Sequence, residues 1–197
     1  MKKFERLPIE KRKEEIQDAA LKLFNEKGFK ATTMENIVAE VSLSKGGVYR
    51  IYPSTSAILG DLMIRGMHLR NAFYEERVKE LTASKKKIDL EALVTMTGES
   101  LLLYPEFSKV YVEFLIEKKR DEALGRLYDE VCARAFADTA ELIEKCGADI
   151  KISQDSLKEI TEIMNTAILG IHVLGLEDFF KLNKEKLCRA VLCILEE

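Results

Sequence analysis

Between Thr33 and Thr55 the chain gathers groups able to bind phosphate and read base edges. Lys45 can reach a phosphate or a guanine, Arg50 can make a forked contact to either, and the hydroxyls of Thr33 and Tyr49 can donate to phosphate oxygens. Gly46 and Gly47 follow directly on Ser44-Lys45. Small residues near the N-terminus of an inserted helix let its backbone approach DNA, at a cost in helix propensity. Each residue alone has a plainer reading as a loop glycine, a packing tyrosine or solvated surface charge. Together they occupy one short window at the spacing of a helix-turn-helix, in the only net-basic part of the chain.

The elements that must position these groups follow from periodicity and caps. Ile16, Ala19, Ala20, Leu23 and Phe24 form one stripe of a helix over Ile9–Lys27, which Gly28 ends. Thr32-Thr33 offers N-caps for a short helix over Met34–Glu40, where Thr33 would also present free N–H groups to a phosphate. Val41-Ser42-Leu43 has the length of a tight turn, and Ser44 caps a second short helix, Lys45–Tyr52, broken by Pro53-Ser54. A longer helix runs from Thr55 to about Leu81. Further helices are expected at about 88–104, 105–118, 121–146, 154–176 and 183–195, with Pro105 at a tolerated first position. The expectation is therefore an all-α chain of nine helices: a three-helix head with a helix-turn-helix, and a larger helical body.

Composition fits one ordinary helical core. Of 197 residues 47% are hydrophobic and 33% charged, with only 10 Gly and 3 Pro, none of the prolines after Pro105. The net charge of −3 is unevenly spread: residues 1–60 hold 11 Lys/Arg against 8 Asp/Glu, the remainder 20 against 26. No secretory signal opens the chain, and the most apolar window, Ile163–Leu176, is too short and too polar to span a membrane, so a cytoplasmic protein is expected. Cys132, Cys146, Cys188 and Cys193 lack metal spacing and are read as free thiols, and no metal or other cofactor is expected. An enzyme is excluded on the same grounds: two histidines, no phosphate loop, no G-x-S-x-G, no H-E-x-x-H, and carboxylates set beside lysines on helical faces.

Lys13-Glu14-Glu15-Ile16, Lys27-Gly28-Phe29, Ala31-Thr32-Thr33, Asn36-Ile37-Val38, Ser44-Lys45-Gly46-Gly47-Val48-Tyr49 and Tyr52-Pro53-Ser54 resemble, in order and spacing, the N-terminal motif of the TetR family of bacterial transcriptional regulators. The resemblance covers about residues 9–69 and implies a DNA-binding domain there, with an effector-binding and dimerisation domain over 70–197. It implies phosphate contacts at Thr33 and Tyr49, groove insertion of the helix capped by Ser44 with Lys45, Gly46, Gly47 and Arg50 facing bases, and Tyr52 as the aromatic that packs this helix on its neighbours. The chain departs from the family pattern at Ser42, where the turn usually has Gly, at Val38 and Val41, where Ala is usual, and at Thr55, where Lys is usual. Ser42 is expected to carry some strain, and Thr55 to lose one cationic phosphate contact.

For the body, the apolar helices at about 154–176 and 183–195 suggest a subunit interface, and the resemblance implies a homodimer formed through them, meeting a palindromic operator. It also implies an effector cavity, for which residue type nominates Met63, Met67, Tyr74, Met96, Tyr104, Phe107, Tyr111, Phe114, Met164 and His172. Few cations interrupt these faces, so a small, mainly apolar effector that releases a repressor from DNA is expected. The alternatives are a helical interaction protein with a degenerate helix-turn-helix, and a thiol-based redox-responsive regulator on the same fold.

Overall fold

Proline and glycine punctuate the chain where helices stop. In the computed structural model, which describes residues 8–86, 88–145 and 153–195, the described residues form nine α-helices and no strand. They are α1 (Ile9–Lys27), α2 (Met34–Glu40), α3 (Lys45–Ile51), α4 (Thr55–Ala83), α5 (Leu90–Ser100), α6 (Pro105–Glu117), α7 (Glu122–Lys145), α8 (Gln154–Val173) and α9 (Glu177–Leu195). Lys87, the end of the expected 121–146 helix at Cys146, and the flanking residues at both chain ends lie outside the described residues.

Two expected boundaries shift for physical reasons. The 88–104 helix stops at Ser100, because Pro105 disfavours helical backbone at Tyr104 (φ −130°, ψ 71°), and Leu101–Leu103 close the end as a turn. The 183–195 helix begins earlier, at Glu177. Gly175 takes φ 68°, which reverses the chain after Val173 and lets the Leu176 carbonyl accept from the Phe180 amide at 2.9 Å. Ser42 is not strained: Lys85 is the one non-glycine residue with positive φ among those described. The Ser42 amide instead donates to Glu15 Oε1 on α1 at 2.5 Å, which ties the turn to the first helix.

The head is held by α1. Ile16, Ala20, Leu23 and Phe24 bury its stripe against Ile37, Val48 and Tyr52, and α4 covers the other side with Ile58, Leu59 and Leu62. The same hydrophobic cluster continues without interruption through Phe107, Val110 and Phe114 of α6 to Leu124 and Tyr128 of α7. Polar ties follow the same seam. Asn25 donates to the Glu106 carbonyl at 3.1 Å, and the buried Glu117 carboxylate takes Lys30 at 2.5 Å and Arg120 at 2.9 Å. Lys30 and Arg120 hold that carboxyl below its ordinary range, the hydrogen bond from Lys30 contributing most. In the body α4 packs on α7, α5 on α9, and α6 and α9 on α8.

Candidate nucleic-acid interface and internal cavity

The two short helices are placed by side-chain caps. Thr33 Oγ1 accepts the Asn36 amide at 3.3 Å while Asn36 Oδ1 accepts the Thr33 amide at 3.0 Å, a reciprocal box that fixes the start of α2. Ser44 Oγ accepts the Gly47 amide at 3.2 Å and starts α3. The buried Thr32 hydroxyl donates to the Gly28 carbonyl at 2.9 Å, holding the loop from α1 against Thr33. On α3 only Val48 is buried; Lys45, Gly46, Tyr49 and Arg50 lie on the exposed face with Ser44 and Thr33.

This face has its own electrostatics. Glu35 Oε1 accepts from Lys45 Nζ and from the Tyr49 hydroxyl, both at 3.1 Å, and the Lys45 ammonium stands 5.6 Å from the Tyr49 ring centroid. The hydrogen bond from Lys45 is the main reason the Glu35 carboxyl is held below its ordinary value, and the same bond raises Lys45. Glu35 thus engages both donors at once. Sequence reasoning missed it, although its place at the first turn of α2, ten residues before Lys45, was a usable signal.

The two glycines differ. A Cβ on Gly47 would come within 3.3 Å of the capping Ser44 hydroxyl, whereas one on Gly46 would meet nothing within 4 Å. Packing among the described residues thus gives a reason for Gly47 and none for Gly46.

Tyr52 lies inside, 3% exposed, as the packing role implied. Its hydroxyl accepts from Gln17 Nε2 at 2.8 Å and donates to Asp61 Oδ2 at 2.6 Å, joining α1, the end of α3 and α4. Burial foremost, then the bond to Asp61, pushes this phenol well above its ordinary value. It is a strut behind the exposed face and not part of it. Thr55 is the first residue of α4, half-buried beside the capping Ser54.

In the body, α4 to α8 enclose a cavity of about 180 Å³. Met63, Met67, Tyr74, Tyr104, Phe107, Tyr111 and Met164 line it, as expected from residue type. Three nominees do not. Phe114 is fully buried against Tyr111 and Tyr128. Met96 packs in a separate cluster with Val78, Ile88 and Leu93. His172 sits half-buried near the end of α8, its Nε2 buried without a hydrogen-bond partner among the described residues and its pKa lowered chiefly by burial. Periodicity finds apolar faces but does not say which of two buried faces looks into a void. The polar lining also escaped notice: Arg70, Thr97, Ser100, Ser108, Thr139, Thr161 and Asn165. Asn165 bridges two helices, accepting the Tyr111 hydroxyl and donating to the Tyr128 oxygen, each at 3.0 Å.

Cys132 and Cys188 are thiols whose pKa values burial pushes up, and Cys193 is exposed; Cys146 lies outside the described residues. Among the described residues no group of three His, Cys, Asp or Glu side chains is arranged to hold a metal, and no helix is long and apolar enough to cross a membrane.

Comparison with known proteins agrees with the geometry of the head. Residues 16–62 match the family model described as bacterial regulatory proteins, tetR family. The chain is 40% identical over 58 residues to the HTH-type transcriptional regulator YfiR of Bacillus subtilis (strain 168), a match spanning 29% of this chain and 28% of that one. It is 29% identical over 122 residues to the HTH-type transcriptional repressor KstR2 of Rhodococcus jostii (strain RHA1), over 60% of this chain and 59% of that one. These matches thus span from under a third to under two thirds of the curated relatives' lengths. Thermus thermophilus FadR, a TetR-family repressor solved with lauroyl-CoA, shares the fold over 94% of each chain, with a TM-score of 0.65 at 20% identity.

Proposed function

Since the chain belongs to the TetR family of transcriptional regulators, we propose that it acts as a repressor which binds a palindromic DNA operator as a homodimer and is released by a small, mainly apolar effector. DNA binding is assigned to residues 9–69, and effector binding with dimerisation to 70–197. The carrying observation is the exposed face of α3: Lys45, Tyr49 and Arg50 flank a glycine, Gly46, that nothing inside the chain requires. Thr33, at the start of α2, supplies a hydroxyl and helix-end amides for a phosphate. In this reading Lys45 and Tyr49 exchange Glu35 for phosphate on binding, and Thr55 contributes a neutral contact where the family usually has a cation.

The homodimer reading is supported by apolar surface left uncovered on the last two helices. Leu174 is 69% exposed and Leu182 83%, with Val173 and Phe179 beside them in the sequence and also exposed. Two-fold pairing there would set two α3 helices one DNA turn apart, about 34–36 Å. A monomer mass by light scattering at micromolar concentration would refute it. The redox alternative is disfavoured at Cys132 and Cys188, whose thiols burial pushes away from the reactive thiolate.

The deciding experiment is fluorescence anisotropy against DNA from immediately upstream of the protein's own gene, over a salt series, with Lys45→Ala and Tyr49→Phe alongside. Tight binding that weakens with salt and with both substitutions is expected. Affinity no better than for a competitor duplex, or indifference to both substitutions, would refute this assignment for that site and favour the interaction-protein reading.

A further inference from the structure

We infer that the effector taken by the α4–α8 cavity is an amphipathic anion: an apolar body carrying one carboxylate that pairs with Arg70. The inference rests on the regulator reading above, in which this cavity is the effector site. Among the described residues Arg70 is the one formally charged residue in the cavity lining. Its Nε is buried and has no hydrogen-bond partner among the described residues; the same holds for Arg77 Nε, so what sets Arg70 apart is the lack of a carboxylate. The other arginines of α4 are neutralised: Arg65 pairs with Asp18 at 2.6 Å, and Arg77 with Glu80 at 2.6 Å and Glu99 at 3.2 Å. Arg70 has no such carboxylate among the described residues.

Most of the polar groups around it are already committed. Thr97, Thr139 and Thr161 each donate to a backbone carbonyl one turn back, at 2.8 Å, and Ser100 donates to the Thr97 carbonyl at 2.7 Å. Tyr111 donates to Asn165, which in turn donates to the Tyr128 oxygen. What remains is the half-buried Arg70, with an unpartnered Nε, in the lining of a largely apolar cavity. The Tyr74 ring, one turn along α4, helps hold it there: Arg70 Cζ lies 6.0 Å from the ring centroid, and the Tyr74 hydroxyl reaches Thr97 at 3.3 Å. A buried N–H without a partner is costly, and a bound carboxylate would satisfy the Arg70 Nε and pair its charge through two parallel N–H···O bonds. Sites whose buried donors need a partner reject analogues that lack it more strongly than apolar walls reject a misfit.

The space sets the rest of the ligand. A cavity of about 180 Å³ holds on the order of a dozen waters, and so a molecule of about that many non-hydrogen atoms. Arg70 is fifteen residues along α4 from Thr55, roughly 22 Å by helical rise. A ligand drawn to Arg70 therefore acts on the helix whose other end stands at the DNA-binding face.

The test uses full-length protein at neutral pH and N-phenyl-1-naphthylamine, a neutral fluorophore, displaced by decanoate or by 1-decanol. Each displacement is referenced to the probe's own Kd in wild type, Arg70→Met and Arg70→Gln, and circular dichroism verifies that each variant folds. Decanoate should bind wild type at least about tenfold more tightly than decanol, and that ratio should fall to about one in both variants. Equal binding of acid and alcohol to wild type, a ratio that neither variant changes, or a bound probe displaced by neither compound overturns the carboxylate assignment and leaves the cavity reading standing. Failure of the neutral probe to bind at all overturns the cavity reading and this inference with it.

Discussion

Tyr49→Phe and Tyr52→Phe remove the same atom three residues apart, and they should fail in different assays. The Tyr52 hydroxyl lies between Gln17 Nε2 and Asp61 Oδ2 inside the head. Without it, the buried Gln17 amide loses its acceptor, a cost of about 1–3 kcal/mol, and Asp61 loses a charge-assisted bond worth about 1.5–3 kcal/mol. The second loss is only partial: the Asp61 side chain is 36% exposed, so water can replace the donor, and Lys13 Nζ stands 3.9 Å away. A working figure is about 2 kcal/mol. At about 2–4 °C per kcal/mol for a chain this long, the melting temperature should fall by about 4–8 °C. Tyr49 is a surface residue whose hydroxyl meets Glu35, so its loss should stay within about 0.5 kcal/mol in stability while weakening DNA binding. Thermal melts by circular dichroism and anisotropy on one operator duplex separate the two. A Tyr52→Phe melt within about 1 °C of wild type, on the same conversion, would refute the argument that this hydroxyl braces α3 from behind.

Other substitutions probe the remaining features. Gly46→Ala should leave stability unchanged or raise it by up to about 1 kcal/mol, yet cost about 1–3 kcal/mol in DNA affinity, the scale of one spoiled base contact; unchanged affinity in anisotropy would refute the close-approach role. Lys30 and Arg120 depress the Glu117 carboxyl below 4.5, so the folded state resists its protonation. That stabilisation is complete above about pH 4.5, the unfolded value, and disappears as pH falls through the folded value. Urea titrations should therefore show a flatter acid limb for Glu117→Gln than for wild type, and equal limbs would count against the pairing. Phe114→Ala should cost about 3–5 kcal/mol in denaturant unfolding, as a fully buried core residue does, and a loss under about 1 kcal/mol would mean the ring is not core.

The head was legible in the sequence because its signals are local. Thr33 and Ser44 act as caps within three residues of their partners, and the α1 stripe follows one helical period. The cavity was legible only in part. Apolar type selects residues for burial, and Phe107 and Phe114 are indistinguishable on that ground, yet one lines the void and the other fills the core. Arg70 reads in sequence as a surface charge among others on α4, and only the packing of α5 to α8 against that helix places it in a cavity lining. The α8–α9 break depended on Gly175, whose positive φ a lone glycine between leucines does not announce.

The hydrophobic cluster that runs from Ile16 through Phe107 to Tyr128 bears on how such chains can be recombined. A chimera cut within α4, joining this head to a foreign body, would leave α1 facing an α6 that did not evolve with it. Under the regulator reading proposed above, moving such a head to another body should require its α6 partner as well, and changing α3's surface residues should alter operator choice at less structural cost than exchanging whole domains.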